Sequence, residues 1–369
     1  MTGAISMLAA FVVFILAHEA GHFFAAKALG IKVSEFFVGF GPRIWSIQRG
    51  ETEYGVKAIP AGGYVRIVGM SVLEDVEPED MGRTYREKEF WKKSVVVLSG
   101  IVANFAIAYL IFFGLFAVNG TVEIQPVVEE VRAEISGSDE IAPAALIGLE
   151  SGDEFVSIDG LLVDSWSAVS NAIAARPGRE VDIVIIRDGR QKTLTGTLAS
   201  VDTGGSEPSG YLGVAPLIER VEVGFFGAAG VAGREVIDIT GEAYKTLWNV
   251  FKPSSLAQLV RGVFGEPVPD EIRPVSLVGI AQVGSQADVI GVSSLIAFLA
   301  IFNIILGAFN VLPLLPLDGG HFAIAVYEKI THKEADIRKL IPVAATVILL
   351  MVFIGFVSIL LDIVQPIRF

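Results

Sequence analysis

Four long apolar stretches decide what this chain can fold into. Residues 4–28, 94–118, 292–316 and 341–364 are each almost free of charge. About 20 helical residues cross a hydrocarbon core of about 30 Å, so each stretch is long enough to span a bilayer. No water is available there to hydrogen-bond an open backbone, which makes each span a helix. Composition agrees: only 19% of the 369 residues are charged and mean hydropathy is +0.61, whereas soluble domains carry about 25% charge. The first stretch lacks a basic leader region and runs on through His18, Glu19 and His22, so it reads as a retained span. The fourth is featureless apart from Gly355 and reads as an anchor. A net charge of −13 argues against nucleic acid as a partner, because phosphate binding needs clustered Lys and Arg.

The charge is unevenly placed. Residues 27–93 hold 11 Lys/Arg against 10 Asp/Glu, residues 317–340 hold 4 against 4, and residues 119–290 hold 12 against 25. Lys/Arg near span ends mark the cytoplasmic side. Lys27, Lys32, Lys92 and Lys93 flank the first loop, and Lys329, Lys333, Arg338 and Lys339 sit in the short loop after span three. The expected topology has 27–93 and 317–340 in the cytoplasm, with both termini and the acidic 119–290 segment outside the inner (plasma) membrane.

Between the spans, residues 33–70 read as strands. The runs Ile44–Gln48, Tyr54–Ile59 and Tyr64–Val68 are β-rich, and Gly39, Gly41, Pro42, Gly50, Gly62 and Gly63 punctuate them. Residues 122–217 read as a small α+β domain: strand Glu154–Ile158, an Asp159-Gly160 turn, a helix Ser165–Ala175, and two strands about an Asp188-Gly189 hairpin turn. The order, with Gly148-Leu149-Glu150-Ser151-Gly152-Asp153 and Tyr211-Leu212-Gly213-Val214, resembles a PDZ domain, a module that binds extended peptides at a sheet edge. Residues 224–262 carry apolar residues at helical spacing, which fits either a helix at the membrane surface or a linker helix on the inserted domain.

The chemistry is concentrated in His18-Glu19-Ala20-Gly21-His22. Two imidazoles at i and i+4 share one helix face, as a zinc chelate requires. The Glu between them lies about 100° round the helix, within reach of a water held by the metal, and can act as general base. Two His and a Glu in an apolar span are costly and functional by default. Hydrolytic zinc needs a third protein ligand and an open position. With no Cys in the chain, the choices are His321, His332 or a carboxylate. His332 lies in a charged loop. Asp318 follows Pro313 and Pro316, which break the third span, and precedes Gly319-Gly320, so it is the favoured ligand, with His321 competing.

The HExxH of span one, Asn310-x-x-Pro313-x-x-Pro316-x-Asp318-Gly319 closing span three, and the PDZ-like insert resemble the site-2 protease family, in its bacterial regulator-of-sigma-E protease type. Gly39-Phe40-Gly41-Pro42 and Gly62-Gly63-Tyr64-Val65 resemble that family's membrane-reentrant β-loop. The likeness implies an intramembrane zinc metalloprotease with Zn2+ held by His18, His22 and Asp318, and Glu19 as base. It implies that Gly62, Gly63 and Tyr64 contact substrate and that Asn310 contacts substrate or the developing oxyanion. Partners would be the lipid bilayer and single-span membrane proteins such as anti-sigma factors or signal-peptide remnants. A zinc transporter or sensor, and an inactive membrane PDZ scaffold, are the competing readings. The expected fold is a polytopic α-helical membrane protein with four transmembrane helices, a membrane-associated β-hairpin region and an inserted α+β PDZ-like domain. Its segments are 1–121, 122–217 for the insert, 218–290 for the linker, and 291–369.

Overall fold

A computed structural model describes residues 2–70, 76–135, 140–201, 208–266, 268–269, 272–286, 291–333 and 335–366. In chain order the elements are α1 (Thr2–Ala28), β1 (Val33–Arg49), β2 (Thr52–Ile67), α2 (Phe90–Asn119), β3 (Thr121–Val131), α3 (Pro143–Ile147), β4 (Glu154–Ile158), β5 (Leu161–Leu162), α4 (Trp166–Ala174), β6 (Glu180–Arg187), β7 (Arg190–Thr197), β8 (Ala199–Val201), β9 (Ser209–Tyr211), β10 (Val214–Val221), α5 (Gly224–Val250), α6 (Pro253–Val263), α7 (Leu277–Ser285), α8 (Val292–Asn310), α9 (Asp318–Thr331) and α10 (Ile337–Val364). The chain divides into two compact units, one of residues 1–116 with 229–369 and one of residues 117–228.

In the first unit, four helical segments are long and apolar enough to cross a membrane: Gly3–Ala28, Phe90–Asn119, Val292–Asn310 and Arg338–Val364. The third is shorter than its hydropathy suggests. Pro313 disfavours helix at the residue before it, so α8 stops at Asn310 and residues 311–317 turn back before α9. Helices approach closely where side chains are small. A Cβ on Gly21 would lie 2.5 Å from the Ser99 carbonyl oxygen of α2. A Cβ on Gly307 of α8 would lie 3.3 Å from the Cβ of Asn104. There the buried Asn303 Nδ2 donates to the Asn104 carbonyl at 2.7 Å, a polar tie between the two helices.

The β region departs from three separate short strands. Residues 35–38 pair on one side with 63–66 and on the other with 53–56, and 53–56 pair in turn with 45–48. Two long bent strands thus make four paired segments, with 63–66 at one border. Gly39 at φ +86° provides one of the bends, since a Cβ there would be 2.6 Å from the Ile59 carbonyl oxygen. The inner end packs with Phe23 and Ala26 of α1, Val96 and Val97 of α2, and Ile31, Val33, Ile67 and Tyr85 into one buried cluster.

The second unit is built on a sheet ordered β10-β3-β4-β6-β7, with β5 paired to β4. Alternation along β6 sends Val181, Ile183 and Ile185 inward, where they meet Phe155, Ile158, Val169 and Ile173. Ser165 caps α4 by accepting from the Ala168 N–H, the usual way to satisfy an orphan donor at a helix start. Asp188 and Gly189, both at positive φ, make the hairpin turn between β6 and β7.

Candidate metal centre

His18 and His22 project from one face of α1, one turn apart, and both are buried. The loop 311–317 delivers a third group to them. Its fold-back onto the first turn of α9 needs glycine, because a Cβ on Gly319 would lie 2.1 Å from the Val311 carbonyl oxygen and one on Gly320 2.6 Å from the Leu314 carbonyl carbon. Asp318 thereby starts α9 with its carboxylate facing α1. His18 Nε2 stands 3.2 Å from His22 Nε2, and Asp318 Oδ2 stands 3.1 Å from the first and 3.2 Å from the second. His321 is not part of this group, and His332 ends α9 in a left-handed conformation.

The donor set fits zinc. A tetrahedral ion with ligand bonds of about 2.0–2.1 Å holds its ligand atoms roughly 3.3 Å apart, close to the observed triangle. His22 Nδ1 donates to the Val96 carbonyl of α2 at 2.7 Å, which fixes the tautomer and leaves Nε2 with its lone pair directed at the other two ligand atoms. The centre is fitted closely on the α2 side: a Cβ on Gly100 would lie 2.3 Å from His22 Nε2.

Glu19 turns toward β2. A Cβ on Gly63 would lie 3.6 Å from Glu19 Cγ. The border segment 63–66 therefore runs past the general-base candidate. Gly62, at φ +140°, takes a conformation that L side chains rarely adopt, and a Cβ there would be 2.9 Å from the Phe40 ring. The Tyr64 side chain is engaged in the sheet: its hydroxyl donates to Glu35 and accepts from Lys57 Nζ at 2.6 Å. Burial and the Glu35 carboxylate push that phenol above its ordinary range. Asn310 Nδ2 donates to the Leu306 carbonyl of its own helix at 3.1 Å. Val96 and Gly100 escape sequence reasoning; the only trace of the second is that it is one of two glycines in its span.

Comparison with known proteins matches this arrangement to a family. The profile of Peptidase family M50 matches residues 6–355. The chain belongs to peptidase family M50. Zinc metalloprotease Rip1 of Mycobacterium tuberculosis is 33% identical over 407 aligned positions, which cover 100% of this chain and 98% of the relative. Zinc metalloprotease RasP of Shouchella clausii is 26% identical over 414 positions, 92% of this chain and 93% of that one. The PDZ domain of an SdrC-like protein of Listeria monocytogenes is similar over 26% of this chain and 86% of its own, at 22% identity and a TM-score of 0.19. As an M50 member the protein is a zinc metalloprotease, and its four long apolar helices make it a multi-pass, intramembrane one.

Proposed function

We propose that this M50 protease hydrolyses peptide bonds in or beside the transmembrane segments of single-span membrane proteins, anti-sigma factors or signal-peptide remnants being the class of substrate. The observation that carries the reading is the convergence of His18 Nε2, His22 Nε2 and Asp318 Oδ2 beside Glu19. These three residues would hold the metal. When bound, zinc supplies a Lewis acid for the scissile carbonyl and lowers the pKa of water toward about 7.

Glu19 takes the proton of the attacking water and returns it to the leaving amine. A substrate helix has its carbonyls hydrogen-bonded and must first unwind. Segment 63–66 pairs with 35–38 on one side, and its other side is the place for an extended substrate to add a strand next to Glu19. Gly62 and Gly63 keep that approach free of side chains, while Tyr64 holds the segment in place through Glu35 and Lys57. Asn310 spends one amide hydrogen on Leu306 and offers the other to substrate.

The orientation follows the distribution of Lys and Arg, with both termini and the PDZ-like insert extracytoplasmic, where the insert screens substrates. Zinc content and cleavage of a fluorescently tagged single-span protein, measured in detergent for wild type and Glu19→Gln, test the reading. Both proteins are expected to bind about one zinc, and only the wild type to cleave. Cleavage by Glu19→Gln at the wild-type rate would remove Glu19 from the role.

A further inference from the structure

Hydrolysis consumes one water per bond, and the triad sits among buried apolar residues, so the reaction needs a polar route to solvent. Few side chains near the site are suited to one. Tyr85, 7% exposed and just ahead of α2, has a buried hydroxyl with no hydrogen-bond partner among the described residues. An unpaired buried hydroxyl is destabilising unless something beyond the described residues meets it. Tyr85 lines a cavity of about 40 Å³ together with Met70, Lys93, His321, Ala325 and Glu328. A water needs about 10–15 Å³ of such volume and two or more polar partners, and this cavity meets both conditions.

The helix periodicity of α9 places residues of the cavity on the same helix face as Asp318. Asp318, His321, Ala325 and Glu328 fall at i, i+3, i+7 and i+10, on one face, over about 15 Å of helix. The stripe begins at the triad and ends at Glu328, whose carboxylate pairs with Lys93 Nζ of α2 at 2.9 Å. Glu328 is a quarter exposed there, so this end of the stripe reaches solvent. Midway, where a larger side chain would close the gap, stands the small Ala325, itself 3% exposed.

We propose that this cavity is a water-binding site and that Tyr85 and His321 are positioning residues holding ordered water behind the metal ligands. The role in supplying water for turnover rests on the hydrolytic reading above; the water site itself does not.

Brief X-ray exposure generates hydroxyl radicals from bound water and oxidises the side chains beside it, which gives a readout independent of activity. The zinc-loaded full chain is exposed as wild type, Glu19→Gln, Ala325→Leu and Tyr85→Phe. In the wild type and in Glu19→Gln, Tyr85 is expected to oxidise within about threefold of the half-exposed Tyr327, as a residue beside ordered water does. Ala325→Leu fills the cavity and is expected to suppress that labelling. Tyr85→Phe keeps the ring and its packing. It is expected to lower kcat about tenfold at unchanged KM and zinc content, the split that separates loss in the reaction from loss of binding. Protection of Tyr85 in the wild type equal to that of the buried Phe112 would overturn the water site. Labelled Tyr85 with an unchanged kcat in Tyr85→Phe would overturn its role in turnover. Should Ala325→Leu fail to fold, the wild-type labelling and Tyr85→Phe still decide. Labelling in Glu19→Gln separates this site from the protease reading, because that variant needs no turnover.

Discussion

At Gly100 a single methyl group tests the geometry of the centre. A Cβ there would stand 2.3 Å from the nitrogen that His22 turns toward Asp318, and the ring cannot swing away without losing the 2.7 Å bond from its Nδ1 to Val96. Gly100→Ala is therefore expected to lower zinc affinity about 10–100-fold, the range found when the support of a metal ligand is disturbed. Helix content should stay unchanged. Gly114, on the same helix, has nothing within 4 Å of its Cβ position, so Gly114→Ala serves as the control and should keep its zinc. Metal content by mass spectrometry with circular dichroism separates the two variants. If Gly100→Ala retains full zinc, the close fit between α1 and α2 is not what holds His22. These residues also show what a sequence can and cannot display. His18 and His22 are legible because one helix fixes their separation. Asp318 is 296 residues from His22 and was singled out by its Pro and Gly neighbours and by family likeness. Gly100 and Val96 act through a helix-to-helix approach that no local pattern encodes.

The β1–β2 region shows the same limit for an element. Its strands are legible from β-rich runs and glycines, but the doubling of pairing about residues 35–38 is not, because register depends on which bends the glycines adopt. Besides the buried cluster with α1 and α2, ion pairs tie the region to its surroundings. Glu51, in the turn between β1 and β2, accepts from Lys27 of α1 at 2.7 Å and from Arg83 at 2.6 Å. The Lys27 bond, with help from Arg83 and against burial, holds the Glu51 carboxyl below its ordinary value. A carboxyl depressed in the folded state adds stability above its unfolded pKa and loses it as pH falls through the folded value. Glu51→Gln is thus expected to raise hydrogen exchange in residues 33–67 at neutral pH by a few-fold, a modest effect for a partly exposed pair. The difference from wild type should begin to shrink as the pH falls below the unfolded carboxylate range, near pH 4, and vanish below the depressed folded value. An equal difference at pH 7 and at pH 3 would assign the effect to packing and not to charge.

For the whole molecule, the proposed threading of the bilayer rests on the arrangement of charge. Acidic residues contribute little to orientation, whereas Lys and Arg close to span ends hold their side in the cytoplasm. Here Lys27 and Lys32 follow the first span, Lys92 and Lys93 adjoin the second, and Lys329, Lys333, Arg338 and Lys339 lie between the last two. In the proposed topology the segment 119–290, which contains the insert and holds 12 Lys/Arg and 25 Asp/Glu, lies on the opposite face. Because the chain has no cysteine, one introduced thiol reports its own side without a background. Gln48→Cys, Gln191→Cys and Lys333→Cys each place that thiol at an exposed position. A membrane-impermeant maleimide added to intact cells is expected to label Gln191→Cys alone, and all three after permeabilisation. The reverse pattern would invert the topology and put the screening insert on the side from which anti-sigma factors act. The proposed substrate class would then have to change, while the His18, His22 and Asp318 geometry, which depends on no orientation, would stand.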